Sequence, residues 1–238
     1  MKNIGIISRK EFRSYLASPV AYVVTAVFLG LSGTFFASYL AGTNYADTSI
    51  RGFLDAAQFL ILLFAAALTM RLIAEERKLG TWELLLTVPV RDVEIVIGKF
   101  LGSLALLASM LLLTLYYPVL LFVLGDPDLG PIFTSYVGLL LLGSVALAVG
   151  LFASSLTSNQ IAAAVVAGGI LFAFWFLGVL ADSAPGPLGE LLSYVSLSGH
   201  FPDFVRGVID TRSVVYYLST TAVFLFLAVR SVEADRWR

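Results

Sequence analysis

The chain offers few residues that could do chemistry. Its one histidine, His200, stands three residues before Asp203. That is too thin a set for a metal, and a loop or capping role is the ordinary reading. There is no cysteine, so a thiolate nucleophile, a disulfide or a cysteine metal site is impossible. No His-Glu-x-x-His motif occurs. Gly98-Lys99 is the one Gly-Lys pair, but Phe100 follows it. Val93 occupies the position where a phosphate-cradling loop needs its first glycine. No catalytic residue and no metal site is therefore assigned. What remains is charge: "EERKLGTWELLLTVPVRD", residues 75–92, gathers Glu75, Glu76, Arg77, Lys78, Glu83, Arg91 and Asp92.

The elements around that stretch are oily. Of 238 residues, 59% are hydrophobic and 13% charged, against about 25% charged in soluble domains. Leu129 to Ala181 runs for 53 residues without Asp, Glu, Lys, Arg or His. A bilayer crossing takes about 20 apolar residues, so this run holds two spans and a turn. Short segments of alternating polarity, the mark of a membrane β-barrel, are absent. The fold class is an all-α polytopic membrane protein forming a single transmembrane domain over 1–238. Spans are expected at about 19–40, 54–74, 96–124, 132–154, 160–181 and 213–231. "GDPDLGP" at 125–131 and "SSLTSNQ" at 154–160 mark turns between them. The first apolar run is long and lacks a small-residue cleavage site, so it reads as a retained span.

Residues 2–16 place Ile4, Ile7, Phe12 and Tyr15 or Leu16 near one helical face, which predicts a helix lying in the membrane interface. Six spans put both termini on one side. That side would carry 12 of the Lys and Arg residues and the other only Arg51, Arg206 and Arg212. The positive-inside rule then puts the termini and the 75–92 loop in the cytoplasm. In that loop Leu79, Trp82 and Leu86 form a helical stripe, Gly80 weakens a long helix and Pro89 ends it. A helix of about three turns along the inner surface is expected. Residues 182–212 are too polar to span and fall outside, with short amphipathic helices around Leu188–Val195 and after Pro202.

Small residues recur at helix-packing spacing in Gly98/Gly102 and Ala146/Gly150/Ser154. The span interiors show no clear ionisable residue, which argues against proton- or sodium-coupled transport and against an intramembrane protease. Mild polarity is present, as in Ser32, Ser109, Thr114, Tyr116, Tyr117 and Thr220. Most of it can be satisfied by the residue's own helix, but a buried Gln58 amide wants a partner.

The stretch "RLIAEERKLGTWELLLTVPVRDVEIVIGKFLG", 71–102, resembles the membrane subunits of ABC-2 type ABC transporters, the type V exporters. "KEFRSYLASPVAYVVTAVFLGLSGTFF", 10–36, is similar to the same permeases, particularly their GldF-like gliding-motility branch. "SGHFPDFVRGVIDTRSVVYYLS", 198–219, is similar to their outer segment and last span. The resemblance implies a six-helix half-transporter with an elbow helix carrying Arg9, Glu11 and Arg13. Residues 75–90 would be a coupling helix meeting a separate ABC ATPase, using Glu75, Glu76, Arg77, Gly80, Thr81, Glu83, Leu84 and Leu85. Two permease chains, identical or related, would join two ATPases. The chain itself would hold no cofactor, with ATP and Mg in the ATPase. Short re-entrant helices would sit near the outer gate, and a path would use Ser32, Gln58, Tyr116, Tyr117 and Thr220. The bilayer of a bacterial or archaeal inner membrane is the expected setting, and no nucleic acid is called for. The leading expectation is a non-catalytic exporter permease for a hydrophobic or amphipathic substrate. The competing one is an ATPase-driven scaffold acting on a periplasmic protein. A copper-export role finds little support in three Met, one His and no Cys.

Overall fold

The structure, a computed structural model, describes residues 2–42, 50–82, 90–184 and 186–236. Regular structure among the described residues is helical throughout. Among the described residues, six helical stretches are long and apolar enough to cross a membrane. The chain is an all-α, multi-pass membrane protein.

The first helix, α1 (Lys2–Ala17), is separate from the first span, α2 (Pro19–Gly42). Pro19 has no N–H to continue the ladder, and the Tyr15 carbonyl takes Ser18 N at 3.0 Å. The second span, α3 (Arg51–Thr69), begins and ends before the expected 54–74. A turn at 70–73 leads to the short helix α4 (Ala74–Lys78). The third span is longer than its apolar run and is broken. Helix α5 (Asp92–Leu113) starts four residues before the expected 96, and α6 (Tyr116–Leu124) follows a turn at Thr114–Leu115. Glu94 caps the start by accepting Arg91 N at 3.3 Å. Pro118 causes the break, because it cannot bond the Thr114 carbonyl four residues back. That carbonyl instead accepts Tyr117 N and the Tyr136 hydroxyl, each at 3.0 Å.

The remaining elements are α7 (Leu129–Ser155), α8 (Gln160–Ser183), α9 (Pro187–Val195), α10 (Pro202–Val205) and α11 (Thr211–Arg236). Asp128 and Asn159 cap α7 and α8 through their side-chain oxygens. Helix α7 is the hub and packs against α3, α5, α8, α10 and α11. Its small residues permit this. A Cβ on Gly150 would overlap Thr69 Oγ1 and lie 2.8 Å from Thr69 Cβ, so α3 sits closer than any larger residue allows. Helices α2 and α8 are at the rim and expose Tyr22, Val23, Ile161 and Val165. Such faces suit lipid or another apolar chain.

Candidate functional site at the charged end of the bundle

Gly98 and Gly102 lie one turn apart on α5 and let α1 settle against it. A Cβ on Gly98 would come within 2.7 Å of Ile7, and one on Gly102 within 2.7 Å of Glu11 Cβ. Between the two glycines, Lys99 turns its ammonium inward and is only 2% exposed. Its Nζ donates to Glu11 Oε1 of α1 at 3.1 Å and to Glu76 Oε1 of α4 at 2.8 Å. A buried cation is costly unless paired, and here two carboxylates pair it. Lys99 lies in the first turns of α5, at the charged end and not in the middle of the span, so the expectation of span interiors without ionisable residues is untouched by it. Its partners, 88 and 23 residues away along the chain, remove the penalty.

The charged stretch is braced on three further sides. Ser154 of α7 accepts Ile73 N at 3.1 Å and Ala74 N at 3.0 Å, and donates to the Met70 carbonyl at 3.2 Å. One hydroxyl thus stands in for helix bonds across the turn between α3 and α4. Arg71 lies 4.7 Å over the Tyr15 ring and donates to Ser18 Oγ at 3.0 Å. The buried Tyr15 hydroxyl donates to the Leu68 carbonyl at 2.9 Å. Burial first, and then the Glu11 charge, push the Tyr15 phenol well above its ordinary pKa, so it remains a neutral donor. Arg77 pairs with Asp235 near the end of α11 and approaches the Trp82 ring at 5.8 Å.

The stretch turns sharply after α4. Gly80 has φ of +70°, a conformation that favours glycine. Thr81 Oγ1 bonds back to the Glu76 carbonyl at 3.2 Å. The helix expected over 75–90 is thus interrupted at Leu79–Gly80 and resumes at Thr81. Its apolar stripe is split as well, since Leu79 is 67% exposed and Trp82 5%. Glu83, Leu84 and Leu85 lie outside the described residues. Glu75, Glu76 and Arg77 point into half-buried surroundings, while Lys78 to Thr81 stand in the open. On α1, Arg9 and Arg13 are exposed and Glu11 is engaged with Lys99.

The expected path residues do not converge on one place. Ser32 Oγ and the Tyr117 hydroxyl lie 2.8 Å apart, and both also reach the Leu29 carbonyl. One hydroxyl can donate to the other while the second serves the carbonyl, so this buried pair is self-satisfied. The Tyr116 ring lies tilted against Tyr117, centroids 4.0 Å apart, and is exposed. Gln58 is buried, and its Nε2 lies 3.5 Å from the Leu54 carbonyl of its own helix. Thr220 is half-buried next to Tyr216 on α11.

At the opposite end, α9 and α10 fold back on α8 and α7. His200 stacks on Tyr216 at 4.1 Å and bonds the Tyr194 carbonyl at 2.9 Å, which fits a structural role. No group of three or more potential metal ligands occurs among the described residues.

Residues 5–230 match the family model of ABC-2 family transporter proteins. The chain belongs to that family. No curated protein matches it. An ABC-2 transporter protein of this kind is a membrane permease component, typically non-catalytic, and the family implies pairing with an ABC ATPase. In this ABC-2 protein, sequence reasoning singled out the loop and the two glycines but missed the groups that brace them. Lys99 reads in the sequence only as the lysine of an incomplete phosphate-loop pair and as a positive charge, and Arg71 only as a positive charge. The spacing Gly98-Lys99-x-x-Gly102 held the available signal: two small residues that admit a helix, with a cation aimed at the same face.

Proposed function

We propose that this ABC-2 transporter protein is the membrane-spanning permease subunit of an ATP-driven exporter. The charged end is its cytoplasmic docking face for a separate ATPase. The observation that carries this reading is the Lys99 brace. It ties α1, α4 and α5 at one point, so a push on the 75–82 stretch moves three elements together. A closing ATPase does work on a membrane bundle only if its contact differs in free energy between two bundle conformations. A stiff, braced contact supports such a difference.

In this reading α1 is the elbow helix and residues 75–90 the coupling element. Glu75, Glu76 and Arg77 set its posture, and Gly80 and Thr81 with Glu83, Leu84 and Leu85 meet the ATPase. The excess of Lys and Arg at this end supports a cytoplasmic position for both termini, in a bacterial or archaeal cell. Mg and ATP belong to the partner, present in two copies with two permease chains. An apolar groove between α3 and α8, about 430 Å³, is lined by Leu62, Ala66, Met70, Ile161, Val165 and Phe172. It supports a hydrophobic or amphipathic substrate moving past α3; Ser32, Gln58, Tyr116, Tyr117 and Thr220 do not line this groove.

A second reading is an ATPase-driven scaffold working on a periplasmic protein, as the likeness to gliding-motility permeases suggests. The observation favouring it is the cleft of about 550 Å³ at the far end, lined largely by polar residues including Asp182, Glu190, Asp203 and Arg212.

The tagged chain, expressed with its genomic neighbours and purified in mild detergent, is expected to bring down a stoichiometric ATPase with a phosphate-loop motif. Glu83→Lys should reduce that recovery about tenfold while the bundle stays folded, the loss of one charge-assisted contact at a docking surface. If the chain purifies alone in several detergents with nucleotide present, the permease reading is wrong. Normal recovery with Glu83→Lys removes Glu83 from the contact.

A further inference from the structure

A cavity of about 330 Å³ opens between α1 and the 71–79 segment, on the flank where Leu79 is exposed. Its lining is charged in both senses. Lys10, Ser14, Ser18 and Arg71 supply donors, and Glu75 supplies a carboxylate. Glu11 and Glu76 also border it, but Lys99 already engages both.

Arg71 is under-used. A guanidinium has five N–H donors; among the described residues this one donates to Ser18 Oγ and is otherwise engaged with the Tyr15 side chain, which leaves donors over. Among the described residues no carboxylate pairs with Arg71, and none of the ion pairs uses Lys10 or Glu75. A half-buried arginine held flat by a tyrosine, with its fork open to a cavity, is suited to a phosphate. The location adds the second half of the argument. Leu72 and Leu79 line the cavity as well, and the exposed Leu79 gives it an apolar edge, as expected where headgroups give way to acyl chains.

The geometry points to a binding site for the phosphoethanolamine headgroup of an aminophospholipid. The phosphate sits on Arg71 and Lys10, and the primary ammonium donates to Glu75. The mixed charge selects the headgroup. A headgroup that is only anionic gains Arg71, but its hydroxyls can give Glu75 only an uncharged donor, and its net negative charge lies beside that carboxylate. A trimethylammonium headgroup carries the charge but has no N–H to donate to the carboxylate. The site is independent of the ATPase reading, since it requires only that the chain sit in a bilayer.

The test uses the full chain, delipidated in detergent, with short-chain phosphatidylethanolamine, phosphatidylcholine and phosphatidylglycerol titrated by native mass spectrometry. Free phosphoethanolamine is a separate arm. Phosphatidylethanolamine is expected to bind about tenfold tighter than either other lipid, the scale of one charge-assisted hydrogen bond. Free phosphoethanolamine should not compete at equal concentration, because the apolar rim contributes. Glu75→Gln should abolish the preference over phosphatidylcholine while phosphate-dependent binding persists. Arg71→Gln should weaken all three lipids together. Equal binding of the three lipids to the unmodified chain overturns the proposal. So does a preference that survives in Glu75→Gln, a variant that breaks no ion pair among the described residues. Full competition by free phosphoethanolamine overturns the lipid assignment.

Discussion

Lys99→Met is expected to lower the stability of the bundle by about 3–5 kcal/mol, the usual cost of leaving a buried charge without its partner. The methionine fills the volume of the lysine stem, so the loss is electrostatic. Glu11 and Glu76, each held within 3.1 Å of Nζ, would face one another with no cation between them. Neutralising the pair should reverse the damage. Lys99→Met with Glu11→Gln and Glu76→Gln should regain most of the loss, since an uncharged cluster of similar shape carries no such penalty. Denaturant unfolding in detergent measures both variants. Limited proteolysis after Arg9 or Arg13 should show α1 released in the single variant and protected in the triple one. A single variant as stable as the parent would mean that the triad does not brace α1.

Gly150→Ala is expected to cost about 1–3 kcal/mol, the range for overpacking a filled core. The added methyl would overlap Thr69 Oγ1, and Thr69 is fixed by its bond to the Ala65 carbonyl at 2.7 Å. Separating α3 from α7 at this level also pulls Ser154 away from Ile73 N and Ala74 N, which lie just beyond Thr69 in the chain. A packing fault in the membrane would thus reach the charged end. Thr69→Ala in the same chain removes the clashing hydroxyl and should recover part of the stability. The same unfolding measurement decides it, and an unchanged midpoint for Gly150→Ala would show that the two helices are not in contact there.

The spans were legible because uncharged runs longer than a bilayer crossing have no other use in a chain this apolar. The stripes Gly98/Gly102 and Gly150/Ser154 also proved to be contact faces, although spacing alone could not say against which helix. What the sequence hid were the effects of partners distant along the chain. Lys99 reads as a boundary charge until Glu11 and Glu76 are brought to it. Arg77 reads as a free docking cation, yet Asp235, 158 residues away, takes it up. The end of α3 at Thr69 depends on a hydroxyl from α7 and leaves no local mark. Pro118 was visible, but the break it causes at Thr114 is stabilised by Tyr136 from the next span. The candidate docking surface was legible as a charged loop. Its division into braced residues, Glu76 and Arg77, and open ones, Lys78 to Thr81, required the tertiary contacts.

The most direct test of the docking face exploits the absence of cysteine. Thr81→Cys and, at the opposite end, Val208→Cys each give one unique thiol on an exposed position. Each is labelled with a short photo-crosslinker in membranes that also contain the ATPase from the same genomic neighbourhood. Thr81→Cys should give a covalent permease–ATPase adduct and Val208→Cys none. An adduct from Val208→Cys, or none from Thr81→Cys when the two proteins copurify, would contradict docking at the charged end.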